Sequence, residues 1–392
     1  MTHKHRITAF LLASLLFLSV ISTGCAEQTD LPPADESATD SESESVSDTE
    51  VTSAPDTSAP EKDEPAVPAD DFHSELQYNY IHDPKYENVE KYAKGKRELS
   101  RPDGILLDFS ADGLPEAASY TVQYSDNASF TDAVTVEGLT EQNYRVLNLK
   151  LGQKLFWRAG TDAANAEDGT VHELTVAEQG PRNLFIDGVS NVRDIGGYAS
   201  SLVEGGKIRQ GLYYRGAKPD DITEAGMAEM LRLGIRREID LRDADQCNGP
   251  YVDGVAYTAV SIPSGTEPTR FEAFDAEYRQ IFALIANADA APVYLHCTAG
   301  ADRTGICTFM LLTVCGAEYD DIARDYLFTN FSTQGSRVSN YTSEFKQWWK
   351  KLDAFEGDTK ADKAKSWLVS KGVPAEQVET IREIFVEGYT AS

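Results

Sequence analysis

The sequence predicts an α/β domain in the C-terminal half of the chain, preceded by an all-β sandwich. After Gly180-Pro181, β-branched apolar runs alternate with stretches of helical periodicity, the order that covers a sheet on both faces. One such strand, 292–295, leads through ten residues into 306–314, a run apolar on every face and long enough for a buried helix. Between 104 and 176, by contrast, short alternating runs are broken by Asp-Gly, Asn and Gly turn signals, which argues for antiparallel strands packed as a sandwich.

In chain order, an address and a spacer come first. Lys4 and Arg6 precede an apolar run, 7–21, that ends at Ser22-Thr23-Gly24-Cys25. A basic start, a short apolar core and small residues predict an export signal over 1–25, and the run is short for a membrane span. Gly24-Cys25 resembles a bacterial lipoprotein cleavage site, although Ser22 stands where leucine is usual. That resemblance implies a lipidated Cys25 and an exported protein anchored at the cell surface; simple secretion and an uncleaved anchor are the alternatives. Residues 26–71 carry fifteen acidic residues and one lysine among Ser, Thr, Ala and Pro, half of a net charge of −28. Such a segment cannot bury a core and is expected to be a disordered, self-repelling tether. The acidity argues against nucleic acid and against electrostatic docking on anionic lipid as partners.

The sandwich is expected over 72–178, with strands at 104–109, 120–124, 133–136, 144–149, 154–159 and 170–176. Two of these strands, Asn143-Tyr144-Arg145-Val146-Leu147-Asn148-Leu149 and Lys154-Leu155-Phe156-Trp157-Arg158-Ala159, resemble late strands of a fibronectin type III domain. This implies a presentation module or a rigid spacer. No constellation of ionisable residues within it suggests catalysis.

The α/β domain occupies 179–392. Residues 191–197 read as a strand and a Gly-Gly turn, with Arg193 and Asp194 as candidate cleft residues, available to pair with charges near a site or held in a simple structural ion pair. An amphipathic helix, 223–233, stops at Gly234 and feeds a strand, 236–241, after which Arg242 could line a cleft, as could Arg215. Further helices are expected over 271–286, 320–328, 341–352, 361–370 and 373–385, with the aromatic residues of the last segments in the core.

The chemistry lies in the connection between strand 292–295 and helix 306–314: His296-Cys297-Thr298-Ala299-Gly300-Ala301-Asp302-Arg303-Thr304-Gly305. A strand-to-helix loop aims backbone N–H groups and the positive end of the helix dipole at one point, which makes a pocket for a dianionic phosphate. Gly300 lets the loop curl. Those dipoles also favour the thiolate form of Cys297, a competent nucleophile toward phosphorus. Arg303 supplies a planar fork for two phosphate oxygens, and Thr304 a hydroxyl for the departing sulfur. His296 fits a hydrogen bond to the loop backbone better than proton chemistry. Taken singly, a cysteine beside a histidine in a strand is inert core; the joint pattern outweighs that reading.

His-Cys-(five residues)-Arg-Thr-Gly resembles the active-site signature of the protein tyrosine phosphatase superfamily, and Asp302 before the arginine resembles a bacterial branch of it. Asn191-Val192-Arg193-Asp194-Ile195-Gly196-Gly197, Gly211-Leu212-Tyr213-Tyr214-Arg215-Gly216, Ile239-Asp240-Leu241-Arg242 and the 320–328 segment are similar to that branch as well. The resemblance implies phosphotyrosine or another phosphate monoester as substrate, a phosphocysteine intermediate hydrolysed by water, no metal or other cofactor, and Asp302 as general acid. From the residues alone Asp302 could instead cap the loop and helix, leaving the acid role to Asp243, Asp245 or Asp275. The branch often carries lysine where this chain has Ala301, which favours phosphotyrosine over phosphoinositide or inositol polyphosphate substrates. A non-catalytic surface binding protein is the alternative of another class. Cys247, Cys307 and Cys315 are too few and too irregular for a disulfide framework or a zinc site; Cys247 could be a redox partner of Cys297.

Overall fold

The computed structural model describes residues 67–93, 97–263, 273–335 and 339–391. The export signal, Cys25 and most of the acidic spacer lie outside the described residues. The N-terminal part begins with helix α1 (Glu75–His82) and a 3-10 turn at Tyr86–Lys91, then holds strands β1 (Ile105–Asp108), β2 (Tyr120–Ser125), β3 (Val134–Leu139), β4 (Asn143–Val146), β5 (Lys154–Gly160) and β6 (His172–Thr175), with a short helix α2 (Ala163–Glu167) between the last two. β3-β2-β5-β6 form one antiparallel sheet and β1-β4 a second. Period-two burial drives their packing. In β1, Ile105 and Leu107 are enclosed while Leu106 and Asp108 face water, and the enclosed pair shares one apolar core with Val122, Val136, Val146, Leu155 and Trp157.

The C-terminal part continues with β7 (Arg182–Asn183), β8 (Arg193–Asp194), β9 (Tyr213–Gly216), α3 (Glu224–Arg232), β10 (Arg237–Asp240), β11 (Ala256–Ala259), α4 (Asp275–Ile285), β12 (Val293–His296), α5 (Asp302–Val314), α6 (Tyr319–Leu327), α7 (Ser339–Lys351), α8 (Lys360–Ser370) and α9 (Ala375–Phe385). Its sheet runs β11-β10-β12-β9-β8-β7, with the first four strands parallel and the last two antiparallel. Alternate residues enter different cores. Tyr213, Ile239, Val293 and Leu295 join the large core that contains α5, whereas Tyr214 and Tyr294 join a smaller one with Met230 of α3. The expected α/β layering with both sheet faces covered is therefore present.

Register decides where the site falls. Asp240 pairs with His296 and His296 with Gly216, so the carboxyl ends of β10, β12 and β9 lie level and their three loops leave from one edge, where α/β sheets bind ligands. α5 starts from that edge and is buried from Arg303 to Val314, which its uniformly apolar sequence requires.

One expectation needs correction. The stretch 75–93, read as part of the sandwich, carries two helical segments, 75–82 and 86–91, and packs on the C-terminal α/β part: Tyr80, Ile81, Tyr86, Val89 and Tyr92 belong to the large core of α5. The Tyr80 hydroxyl donates to the Arg324 carbonyl (3.2 Å), and that of Tyr86 to Asp320 (2.7 Å). A local signal existed: the Ser74 N–H donates to Gln77 (3.1 Å), half of a capping box, just ahead of the Tyr80-Ile81 apolar stripe. The chain then returns to the sheets at β1, and from Val67 onward the described residues form one compact unit. Among the described residues no helix is long and apolar enough to cross a membrane.

Candidate active site

Five residues, 297–301, join β12 to α5, and Cys297 lies at their base, 3 % exposed. The loop's carbonyls are tied outward one after another. Leu241 N–H donates to the His296 carbonyl (2.9 Å), Lys218 N–H to that of Thr298 (3.3 Å), Asn191 Nδ2 to that of Ala299 (2.9 Å), and Arg215 Nη2 to those of Gly300 (2.8 Å) and Ala301 (3.3 Å). In a trans peptide the N–H opposes the C=O, so fixing these carbonyls turns the loop's N–H groups toward the concave side, where an anion would sit. Gly300 has φ +63°, and a Cβ there would fall 2.1 Å from the Gly216 carbonyl oxygen. Only glycine allows the loop to lie this close to β9.

Behind the loop, two arginines share one carboxylate. Arg193 Nε donates to Asp325 Oδ1 (2.8 Å) and Arg215 Nη1 to Asp325 Oδ2 (2.6 Å), and all three residues are fully enclosed. Arg193 also donates to Asn191 Oδ1 (2.6 Å), orienting the side chain that holds Ala299. Burial, and next the charge of Arg215, push the Arg193 guanidinium down to about 10, against the pull of Asp325. Two guanidinium groups against one carboxylate leave an excess positive charge beneath the Cys297 loop. This corrects the expectation that Arg193, Asp194 and Arg215 line the cleft: they are enclosed, and Asp194 is bonded to Arg182 (2.5 Å) and to the Gly196 N–H (2.9 Å). Arg242, 2 % exposed, does not face the cleft as a free cation either, because it grips Asp240 (2.8 Å) and Asp220 (2.9 Å).

Arg303 is held differently. Its Nη1 donates to the carbonyls of Leu241 (3.1 Å) and Ile262 (2.9 Å) and its Nη2 to Thr298 Oγ1 (3.2 Å), while the Asp243 carboxylate stands 3.7 Å away. Thr304, on the first turn of α5, is enclosed, and its hydroxyl has no hydrogen-bond partner among the described residues. Asp302 opens α5 half-buried and accepts from the Tyr326 hydroxyl (2.8 Å). Of its rivals for the acid role, Asp243 borders Arg303, Asp245 is exposed, and Asp275 lies 3.5 Å from Lys371 Nζ at the start of α4. Ala301 is fully enclosed, so its methyl does not form the mouth of the pocket, and specificity cannot be read from it directly.

His296 is wedged between two carboxylates: Nε2 is 2.9 Å from Glu238 Oε1, and Nδ1 is 3.8 Å from Asp240 Oδ1 and 3.3 Å from the Cys297 carbonyl. The donor atoms of Glu238, Asp240 and His296 lie within 4.8 Å of one another, close enough to hold a cation, but Arg242 already occupies Asp240. Burial, then the Asp240 carboxylate, push the Cys247 thiol up, which weakens its reading as a redox partner. Cys307 and Cys315 are enclosed, and burial pushes both thiols up. A cleft of about 650 Å³ lined by Tyr124, Asn148, Lys150, Gln210 and Arg232 does not include the Cys297 loop.

Residues 184–390 match the model of the tyrosine phosphatase family. The chain belongs to that family. The match takes in the Cys297 loop, Asn191, Arg193, Arg215 and Asp325, and stops short of the strands β1 to β7. A Cupriavidus necator chain assigned to the tyrosine-protein phosphatases is 31 % identical over 178 residues, covering 39 % of this chain and 64 % of that one. A tyrosine-protein phosphatase of Nostoc commune is 30 % identical over 147 residues (31 % and 50 %), and the triple specificity protein phosphatase PtpB of Mycobacterium tuberculosis 27 % over 204 residues (39 % and 71 %). The chain thus spans less than two thirds of the length of the first two of these relatives. Sequence reasoning missed the roles of Asp325, Asn191, Glu238 and Tyr326. Asp325 carried a signal, a lone carboxylate on the apolar face of α6 beside Ile322, Tyr326 and Leu327.

Proposed function

We propose that this chain is a cysteine-dependent phosphatase that hydrolyses phosphotyrosine, and the observation that carries the reading is the outward anchoring of the carbonyls of residues 298–301 above Cys297. A phosphate dianion is bound by the inward N–H groups and the start of α5. Arg303 exchanges two neutral carbonyls for two phosphate oxygens, a charge-assisted and bidentate contact. The Cys297 sulfur attacks phosphorus and the P–O bond to the tyrosine breaks; Asp302 delivers its proton to the phenolate oxygen. Water then attacks the phosphocysteine, Asp302 takes its proton, and thiolate and inorganic phosphate are released. No step uses a metal.

The surrounding cations favour substrates with one phosphate. Arg193 and Arg215 are committed to Asp325, Arg242 to Asp240, and Lys218 to Asp220, so none offers charge to a second phosphate group. Phosphotyrosine peptides are therefore expected to exceed inositol polyphosphates and phosphoinositides in kcat/KM. The antiparallel sheets of the N-terminal part fit a fibronectin type III-like presentation module, and the signal ending at Cys25 fits a lipid anchor at the cell surface; incorporation of labelled palmitate, abolished in Cys25→Ala, tests the latter. For the activity, turnover of an aryl phosphate in the presence of a chelator is decisive: Cys297→Ser should abolish it, since a serine hydroxyl is too weakly acidic to replace the thiolate. Chelator-sensitive turnover, or a Cys297→Ser variant at wild-type rate, would refute the mechanism.

A further inference from the structure

The stretch that returns from the catalytic side to the sandwich, 97–101, lies outside the family match yet reaches the catalytic loop through a single intermediary. Asn191 is that intermediary. It is 1 % exposed and sits at φ +61°, a left-handed turn conformation that asparagine tolerates better than other residues bearing a Cβ. Its Nδ2 holds the Ala299 carbonyl and its Oδ1 accepts from Arg193. Its backbone N–H donates to Ser100 Oγ (3.2 Å).

Ser100 is itself set in place. Its carbonyl accepts from Asn183 Nδ2 (2.8 Å), and its N–H (3.0 Å) and hydroxyl both donate to Glu98 Oε1, which leaves the hydroxyl lone pair for Asn191. The other carboxylate oxygen of Glu98 accepts from Ser190, the residue before Asn191, whose carbonyl receives the Ala217 N–H (3.0 Å). Leu99 N–H donates to the Phe331 carbonyl (2.5 Å), and Gln77 Nε2 donates to the carbonyls of Leu99 (2.6 Å) and Arg101 (2.9 Å), so the stretch cannot slide.

We infer that Ser100, oriented by Glu98, is a positioning residue for the phosphate loop, acting through the Asn191 turn on the Ala299 carbonyl. Glu98 and Ser100 are then a working part of the phosphatase site supplied from outside its family core. The inference rests on the phosphatase reading above. Without the Ser100 hydroxyl the buried Asn191 N–H loses its acceptor, the turn relaxes, and the Ala299 peptide is free to rotate its N–H away from the anion.

The test uses the full chain with tungstate, a phosphate-shaped oxyanion whose binding reports loop geometry without turnover. Ser100→Ala should weaken tungstate binding about three- to tenfold, raise KM for an aryl phosphate by a similar factor and change kcat less. Glu98→Gln, which keeps the shape but not both acceptor oxygens, should show a smaller loss of the same kind. It is the readout if Ser100→Ala does not fold. Tyr86→Phe releases the preceding 75–93 stretch from α6 without touching Asn191, and should lower the melting temperature while leaving tungstate affinity unchanged. Wild-type tungstate affinity and KM in folded Ser100→Ala and in Glu98→Gln would overturn the inference, as would an equal loss in Tyr86→Phe. A wild-type chain that neither binds tungstate nor hydrolyses aryl phosphate would instead overturn the phosphatase reading, and this inference with it.

Discussion

The arginines on the two sides of the catalytic loop are held by opposite means. Behind the loop, Arg193 and Arg215 are bonded to both oxygens of the Asp325 carboxylate, with no water access. In front, Arg303 rests on two backbone carbonyls and one hydroxyl, with the Asp243 carboxylate at 3.7 Å. A buried guanidinium bonded to a carboxylate is locked, because removing either partner leaves an uncompensated charge in low dielectric. A guanidinium on neutral acceptors can trade them for an anion at little cost, because charge-assisted bonds are about twice as strong as neutral ones. Chemically identical side chains thus divide into frame and tool according to what accepts their hydrogens.

Substitutions on either side can break that contrast. The largest kinetic effect is expected at the tool. Arg303→Lys keeps the charge but not the fork, and should lower kcat for an aryl phosphate about 10²- to 10³-fold, with little change in the urea midpoint. A large loss of stability would mean that Arg303 belongs to the frame. The reverse holds for Asp325→Asn, which leaves two buried guanidinium groups facing a neutral amide. It should cost roughly 3–5 kcal/mol in chemical denaturation, with kcat at low temperature falling less than in Arg303→Lys.

Asp302 tests whether the hydrogen bond from Tyr326 marks an acid or a prop. Asp302→Asn should lower kcat about 10- to 100-fold for phenols that leave poorly, much less for nitrophenols, and flatten the alkaline limb of the pH profile. An unchanged profile would transfer the role to Asp243, which also borders Arg303.

The smallest effect concerns Asp240, gripped by Arg242 next to His296. Burial alone would raise its carboxyl, yet the Arg242 hydrogen bonds and the neighbouring His296 hold it below the ordinary aspartate value. A carboxyl lowered on folding stabilises above its unfolded value, and that contribution is lost as pH falls through the folded one. Arg242→Gln should therefore shift the acid-unfolding midpoint to higher pH by a few tenths of a unit. A midpoint unchanged from wild type would show that the pair contributes nothing to acid stability.

The six strands of the N-terminal part and the strand-loop-helix that carries Cys297 were legible because each is a local pattern, and residues a few positions apart decide it. The α1 segment was passed over, although its Gln77, Tyr80 and Ile81 mark a helical face. Reading Arg193, Asp194 and Arg215 as cleft residues failed for a different reason. For the two arginines the partner stands far away in the chain, Arg193 from Asp325 by 132 positions and Arg215 from Asp325 by 110, and a pattern in one segment carries no trace of a carboxylate supplied by another.

By itself, then, the sequence determined which atoms are available for chemistry: a cysteine at the carboxyl end of a buried strand, an arginine six residues on, and a glycine where a Cβ would fall 2.1 Å from a neighbouring carbonyl oxygen. Tertiary structure decided which charges remain available to a ligand. Burial makes an unpaired charge too costly to keep, so every enclosed arginine around the loop is claimed by whatever carboxylate or carbonyl the fold brings to it. Only the packing of α6 and of the Asn191 turn against Ser100 shows that Arg193 and Arg215 serve the frame while Arg303 keeps neutral acceptors that it can exchange.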